Sequence, residues 1–344
     1  MFKKLTALML IALSVMLAGC SIDPPAADKT SSGSSVKTEI QKGEEILNPL
    51  TGTEISADKA AKRPVAIMIN NIGIAQPVQT GVNKADIVYE TEVEGGITRL
   101  MAVYQDISSV GQIGPVRSAR YPYVDLALGN DAVYVHCGQD NLYCKPHLKD
   151  IDDQSIDTGV LGSQRIKNGL AKEHTLYAMS ESLYSGLSGK FNMAAKKTGT
   201  WQQFAEKDKI ISLSDGAANV VTVPFSTSCK ATFTFDDASK TYVRSVNGTV
   251  RKDYKTGETT SITNIIVLNT SISFYPDNYH RKVDLQSGDG YYITNGTYQK
   301  INWSKGAAAN AFTFTDAEGN KITLNRGRTW VCIPDKQKVV TTFS

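Results

Sequence analysis

The chain has 344 residues and a formal net charge of +3. Removal of Lys3 and Lys4 with an N-terminal signal leaves about +1, a near-neutral body that excludes broad nucleic-acid binding and confines any polyanion site to a local patch. The length after Cys20 suffices for two domains.

Residues 1–19 read as a lipoprotein signal peptide. Lys3 and Lys4 form a positive start, and Leu5 to Leu17 form an apolar core too short to span a membrane stably. The segment ends in Leu17-Ala18-Gly19-Cys20. This pattern predicts cleavage before Cys20 and attachment of a diacylglyceryl group to its sulfur. Two or three acyl chains anchor firmly, where one binds marginally. Residues 20–47 are rich in Ser, Pro, Lys and Glu and poor in large apolar residues. Such a segment buries too little surface to offset its ordering entropy, so it is expected to act as a flexible tether. The expected location is the extracytoplasmic face of the cell membrane, lipid-anchored.

The expected fold class is α+β, with a mixed α/β N-terminal domain over 48–215 and a smaller β-rich C-terminal domain over 216–344. PVAIMIN (64–70) predicts a buried strand. The stretch ADIVYETEVEGGITRLMAVYQD (85–106) predicts a hairpin with a two-residue turn at Gly95-Gly96. That register sets Glu92 opposite Arg99 and Glu90 opposite Met101. Glu90, Glu92 and Glu94 then share one face, and Tyr89, Thr91, Leu100 and Ala102 form the core face.

Next comes GQIGPVRSARYPYVD (111–125). Gly111 and Gly114 permit unusual backbone shapes, and Pro115 stops the preceding strand. Ser118 is a good N-cap for a helix running through Leu128, with Pro122 in its first turn. Arg117, Ser118 and Arg120 thus gather at a helix start, where free N–H groups and the dipole favour an anion. Two guanidinium groups add bidentate reach to phosphate or carboxylate. The bland alternative is that these arginines pair with Glu90, Glu92 or Glu94.

DAVYVHCG (131–138) predicts a strand, and SESLYSGL a short helix. HCGQDNLYCKPH holds His136, Cys137, Cys144 and His147. A strand there points His136 and Cys137 to opposite faces, which argues against a zinc site. In an oxidising compartment, Cys137–Cys144 and Cys229–Cys332 could form disulfides, with free buried cysteines as the alternative. From about Ala217 the chain is nearly all β, with Asn247-Gly248, Asn295-Gly296 and Glu318-Gly319-Asn320 at hairpin positions. The boundary between the halves is expected near Ser214-Asp215-Gly216. No GxSxG, HExxH or phosphate-loop motif occurs, and nothing calls for a cofactor or a metal.

NPLTG near 48–52, YETEVEGGITRLMAVY, GQIGPVRSAR and YVHCG, with GYYITNGTYQKINWSK and ITLNRGRTWVCIP in the second half, are the segments by which the chain resembles the YerB-like lipoprotein family of Gram-positive bacteria. The resemblance covers nearly all of the chain after the tether. It implies an exported, lipid-anchored protein with an α/β domain followed by a β-rich one, and no established reaction. The family's recurrent polar positions fall here on Glu90, Glu94, Arg99, Arg117, Ser118, Arg120 and His136. After His136 the family commonly has a Gly-Gly-Ser step. Here Cys137-Gly138-Gln139 stands instead, so a site shaped by that step is altered in this chain.

Two functions follow. One is a membrane-anchored envelope binding or accessory module with an anion-binding Arg/Glu pocket formed by Arg117, Ser118 and Arg120, with Glu90, Glu94, Arg99 and His136 as further polar candidates. Its expected partners are the membrane through the lipid, and an anionic wall polymer, peptidoglycan or an envelope protein. The other is a hydrolase or transferase acting on envelope glycan or phosphodiester, with Glu90 or Glu94 as acid or base. Carboxylates on a single strand rarely face each other across a substrate, which favours binding. Cys20→Ala is expected to leave an uncleaved, unlipidated precursor, measured by intact mass and detergent partitioning. A mature chain carrying an unmodified Cys20 would remove the anchor.

Overall fold

Val65 to Ile69 carry no polar side chain, so neither face of that segment suits water. In the computed structural model, which describes residues 45–197, 199–338 and 340–344, Val65–Asn70 (β1) is buried along its whole length. The signal peptide, Cys20 and most of the tether lie outside the described residues. Four further strands of the first half join the same sheet: Ile87–Glu92 (β2), Thr98–Tyr104 (β3), Val133–His136 (β4) and Asp153–Ser155 (β5). Among the described residues the helices are few and short, Tyr121–Gly129 (α1) and Ser180–Ser188 (α2) being the longest.

The second half supplies two groups of strands. Val220–Pro224 (β6), Lys230–Asp236 (β7) and Thr241–Val246 (β8) form a small antiparallel sheet. Asn264–Leu268 (β9), Ser287–Thr294 (β10), Thr297–Ser304 (β11) and Thr329–Ile333 (β12) extend the large one. Its order is β11-β10-β9-β12-β2-β3-β1-β4-β5. The change of texture near Ser214 therefore does not divide the packing. β12, close to the C-terminus, inserts between β9 and β2 and pairs parallel with both.

β5, β4, β1, β2, β12 and β9 all run one way, while β3 runs against them. Their carboxyl ends share one edge of the sheet. β3 begins there with Thr98 and Arg99. Loops that follow parallel strands collect at such an edge, where open α/β sheets commonly bind ligands.

The hairpin register differs from expectation by one residue. Glu92 faces Thr98, Thr91 faces Arg99 and Glu90 faces Leu100. The connection is Val93–Ile97 rather than two glycines: the Val93 N–H donates to the Ile97 carbonyl at 2.8 Å, and Gly95 and Gly96 take φ of +68° and +72°. A one-residue slip reverses the face of every side chain on the second strand. Arg99 therefore leaves Glu92 and joins the Thr91 face. There is also no water-facing side. Val88, Leu100 and Ala102 pack toward the small sheet with Val221, Phe233 and Trp330. Tyr89, Met101 and Val103 pack under α1 with Tyr123 and Leu126.

α1 starts two residues later than a Ser118 cap predicts. Arg120 holds the cap position in extended conformation, with no side-chain cap bond, and Pro122 lies in the first turn as expected. The Asn-Gly turns behave as read. Val246 pairs with Thr249 and Thr294 with Thr297 across two-residue loops whose residues all have positive φ.

Sharing one sheet has a measurable consequence. A chain ending at Ser214 lacks β12 and uncovers the β2 edge together with Val88 and Tyr89. It is expected to lose cooperative thermal unfolding. A truncated chain with a sharp melt and slow amide exchange in β2 would refute this interdependence.

Candidate functional site

Glu90 is fully buried. One carboxylate oxygen accepts from Asn71 Nδ2 at 3.0 Å, Thr98 Oγ1 at 2.8 Å and Arg244 Nη2 at 2.8 Å. The other accepts from the same Arg244 nitrogen at 2.8 Å and from Trp330 Nε1 at 3.0 Å. The Arg244 guanidinium also lies 4.5 Å from the centroid of the Trp330 ring. A carboxylate enclosed this way is a structural pair and offers no atom to a substrate. That removes Glu90 from the acid–base role considered from the sequence.

Glu92 turns to other partners, Arg281 Nη2 at 2.6 Å and Lys338 Nζ at 3.4 Å. Glu94 sits in the connection rather than on the strand and is the carboxylate that meets the Arg-rich bend. Arg120 grips it through Nε and through Nη2, the latter at 3.2 Å. Arg99 Nη2 stands 3.8 Å away. Burial pushes the Glu94 carboxyl up, but Arg120 and then Arg99 outweigh it and hold the group below its usual range. The same two arginines brace the bend. Arg99 Nη1 donates to the Ser118 carbonyl at 2.5 Å, and Arg120 Nη1 to the Ala119 carbonyl at 2.8 Å.

Arg117 is placed differently. It is half-buried, donates to the Glu173 carbonyl at 3.3 Å, and among the described residues no carboxylate oxygen comes within 4 Å of it. Its charge is felt nearby. Arg99 is pushed down to about 10 by burial first, then by Arg120, with Arg117 adding to the effect and Glu94 opposing it. His174 also sits beside Arg117, and burial lowers its imidazole. Asn70 Nδ2 lies 2.7 Å from His174 Nδ1, which makes Nδ1 the acceptor and leaves the proton on Nε2. Ser118 contributes its carbonyl to Arg99.

His136 is buried on both sides of its ring. Nδ1 faces the Gly138 carbonyl at 2.8 Å and Nε2 faces Asp153 Oδ2 at 3.1 Å. Neither nitrogen is left to act as a base toward a ligand. Among the described residues Cys137, Cys144, Cys229 and Cys332 are free, so the two possible disulfides between them are not formed. Cys137 packs toward one core and Cys144 toward the other, on opposite faces of the sheet. Cys332 pairs with Glu90 in register, and burial with the Glu90 charge raises both its thiol and that of Cys229, the latter to about 11. His147 stacks on Tyr121 at 4.0 Å, away from His136, so the zinc alternative also loses its ligands.

Several polar residues at this edge were not marked from sequence. Asp140 accepts from the N–H groups of Leu142, Tyr143 and Cys144 at 2.8–2.9 Å. His280 Nε2 lies 3.3 Å from Asp140 and 3.9 Å from Glu94. With Arg120, Arg281, Tyr143 and Tyr275 they line a recess of about 10 Å³, room for roughly one water. Their distance along the chain from Glu94 hides this gathering. The Asp140–Asn141–Leu142 turn chemistry was the available signal.

The comparisons with known proteins agree across the chain. Residues 50–194 match the model described as protein of unknown function (DUF3048), N-terminal domain, and residues 221–331 its C-terminal domain. The chain is 28% identical over 297 residues to “Putative lipoprotein YerB” of Bacillus subtilis (strain 168), covering 83% of this chain and 86% of that one. It also superposes on the crystal structure of the YerB protein from Bacillus subtilis with a TM-score of 0.74 at 25% identity, over 87% of this chain and all of the other. The chain belongs to the YerB-like lipoprotein family. Among the YerB-like segments quoted from sequence, YETEVEGGITRLMAVY carries Glu90, Glu94 and Arg99, GQIGPVRSAR forms the bend, and ITLNRGRTWVCIP supplies Trp330. At the departure from the YerB-like Gly-Gly-Ser step, Gly138 takes φ +71°, and its carbonyl accepts from Ala119 N–H and faces His136. No helix among the described residues is long and apolar enough to cross a membrane.

Removing the enclosed carboxylate tests its structural role. Glu90→Ala leaves Arg244 buried beside an empty acceptor site and is expected to cost about 3–5 kcal/mol of stability by denaturant titration. A loss below about 1 kcal/mol would show that water replaces the carboxylate at no penalty.

Proposed function

We propose that this chain is a lipid-anchored envelope binding module on the extracytoplasmic face, and that the bend at the carboxyl edge of its large sheet holds an anionic group. One observation carries this reading: Arg99 and Arg120 share the Glu94 carboxylate, Arg117 stands near enough to disfavour the Arg99 charge, and among the described residues no carboxylate oxygen lies within 4 Å of Arg117. Burial lowers the Arg99 guanidinium most, and the positive charges of Arg120 and Arg117 add to that shift against the opposing Glu94. α1 begins immediately after Arg120, so its dipole adds to the attraction. The relative carries the name “Putative lipoprotein YerB”, and the Leu17-Ala18-Gly19-Cys20 pattern of this chain supports a lipid anchor on Cys20. A phosphate-rich or carboxylate-rich wall polymer fits the sign and the location. The hydrolase reading finds less support, because Glu90 is enclosed and Glu94 is held by Arg120.

The arginines separate by partner. Arg120→Ala frees Glu94 and should perturb both folding and binding. Arg117→Ala breaks no ion pair and should leave the thermal midpoint nearly unchanged, while weakening binding of inorganic phosphate or a glycerol-phosphate polymer by about 1.5–3 kcal/mol. Added salt should weaken parental binding as well. Calorimetric titration measures both. A folded Arg117→Ala protein that binds as tightly as the parent would end the anion-site reading.

A further inference from the structure

The NPLTG segment, which the anion site does not use, forms a wall of a second pocket at the opposite edge of the large sheet. This pocket measures about 130 Å³ and is lined by Pro49, Leu50, Pro64, Gln105, Asn130 and Trp201, among others. That is close to the roughly 150 Å³ needed for a six-carbon ring. The Trp201 backbone N–H donates to the Pro49 carbonyl at 2.6 Å, so the motif ties the Trp201 backbone beside the opening.

Three residues of the lining each carry a buried polar atom with no partner among the described residues: Gln105 Oε1, Asn130 Oδ1 and Trp201 Nε1. Gln105 is 2% exposed and Asn130 8%. Their amides cannot be flipped to remove the problem. Gln105 Nε2 donates to the carbonyls of Lys59 at 3.0 Å and Lys62 at 2.7 Å. Asn130 Nδ2 donates to the Leu126 carbonyl at 2.8 Å and to Tyr89 Oη at 2.9 Å. Reversal would press each amide oxygen against a carbonyl oxygen. Two neutral acceptors and one neutral donor thus stand unmet around a small, mostly apolar space. Buried polar groups in this condition call for a partner.

We infer that this pocket binds a neutral polyol unit, a sugar ring edge or an alditol end of about six non-hydrogen atoms. Hydroxyl groups suit it because each can donate or accept, so one ligand meets both oxygens and the indole N–H. The unmet groups are neutral amide and indole atoms, whereas the charged residues of the lining have partners of their own: Lys62 lies 3.9 Å from Asp106, Asp131 3.3 Å from Arg63, and Lys197 Nζ donates to the Ala309 carbonyl at 2.8 Å.

The test uses the mature chain with 15N-labelled tryptophan and glycerol as the probe. Glycerol is expected to shift the Trp201 indole N–H resonance saturably, on the order of millimolar, and to leave those of Trp303 and Trp330 in place. Trp201→Phe identifies the resonance, keeps the ring against Phe314 and should weaken glycerol binding about tenfold by saturation-transfer difference. Asn130→Asp retains the shape but places a charge there, and should also weaken it. A Trp201 resonance that does not saturate with glycerol overturns the inference. So does a stronger response to acetamide or inorganic phosphate, or unchanged glycerol binding in Trp201→Phe.

Discussion

The Glu90 carboxylate is the fixed point of this structure. Its donors come from Asn71 after β1, Thr98 on β3, Arg244 on the small sheet and Trp330 on the inserted β12. Four separated segments therefore meet on two oxygens. A charge without water costs several kcal/mol unless its partners are well placed. The geometry also restricts β12. A one-residue slip would turn Trp330 to the other face and remove a donor from Glu90. The buried ion pair thus penalises the wrong register as well as contributing to the right one, and it links the small sheet to the large one.

That linkage sets where function can sit. With β12 in place, the parallel strands end along one edge, and the connection after β2, the bend before α1 and the loop after β4 converge there. Arg99 enters at the start of β3, beside Asn70 at the end of β1. Glu94 must lie outside the strand to reach Arg120, and the five-residue connection puts it there. A tight two-residue turn would have kept Glu94 on the strand. The loop that defeats the simple hairpin reading is therefore also the device that assembles the charged edge.

The legible parts of the sequence were those in which a local rule had no competitor. Val65–Ile69 could only be a strand covered on both sides, and Asn247-Gly248 and Asn295-Gly296 could only turn sharply. The helix after Pro122 followed from the same kind of constraint. Gly95-Gly96 was different, because two glycines tolerate positive φ in a short turn or a longer one. Choosing the shorter one moved Arg99 to the wrong face. The charged alternation of Glu90 and Glu92 resembled a solvent face, and only Arg244, 154 residues away along the chain, shows that it is not. The bend was recognised by its arginines. Which of them is free depends on Glu94 and Glu173, and their positions follow from the tertiary fold.

The arginines show why partners, rather than residue type, decide the role. Arg244 is enclosed, charge-matched by Glu90 and stacked on Trp330, so its contribution is to folding. Arg99 and Arg120 divide Glu94 and also hold the carbonyls of Ser118 and Ala119, so they shape the bend and leave part of their charge unmatched. Arg117 donates one hydrogen bond to a backbone carbonyl, and among the described residues no carboxylate oxygen lies within 4 Å of it. Moving along this series, the interaction with the protein weakens while the surplus potential at the edge grows. On the proposed reading an incoming anion would gain most from Arg117, because among the described residues that side chain has no ion pair to give up. Arg99 and Arg120 would then act mainly by holding Glu94, the carboxylate they share among the described residues, away from Arg117.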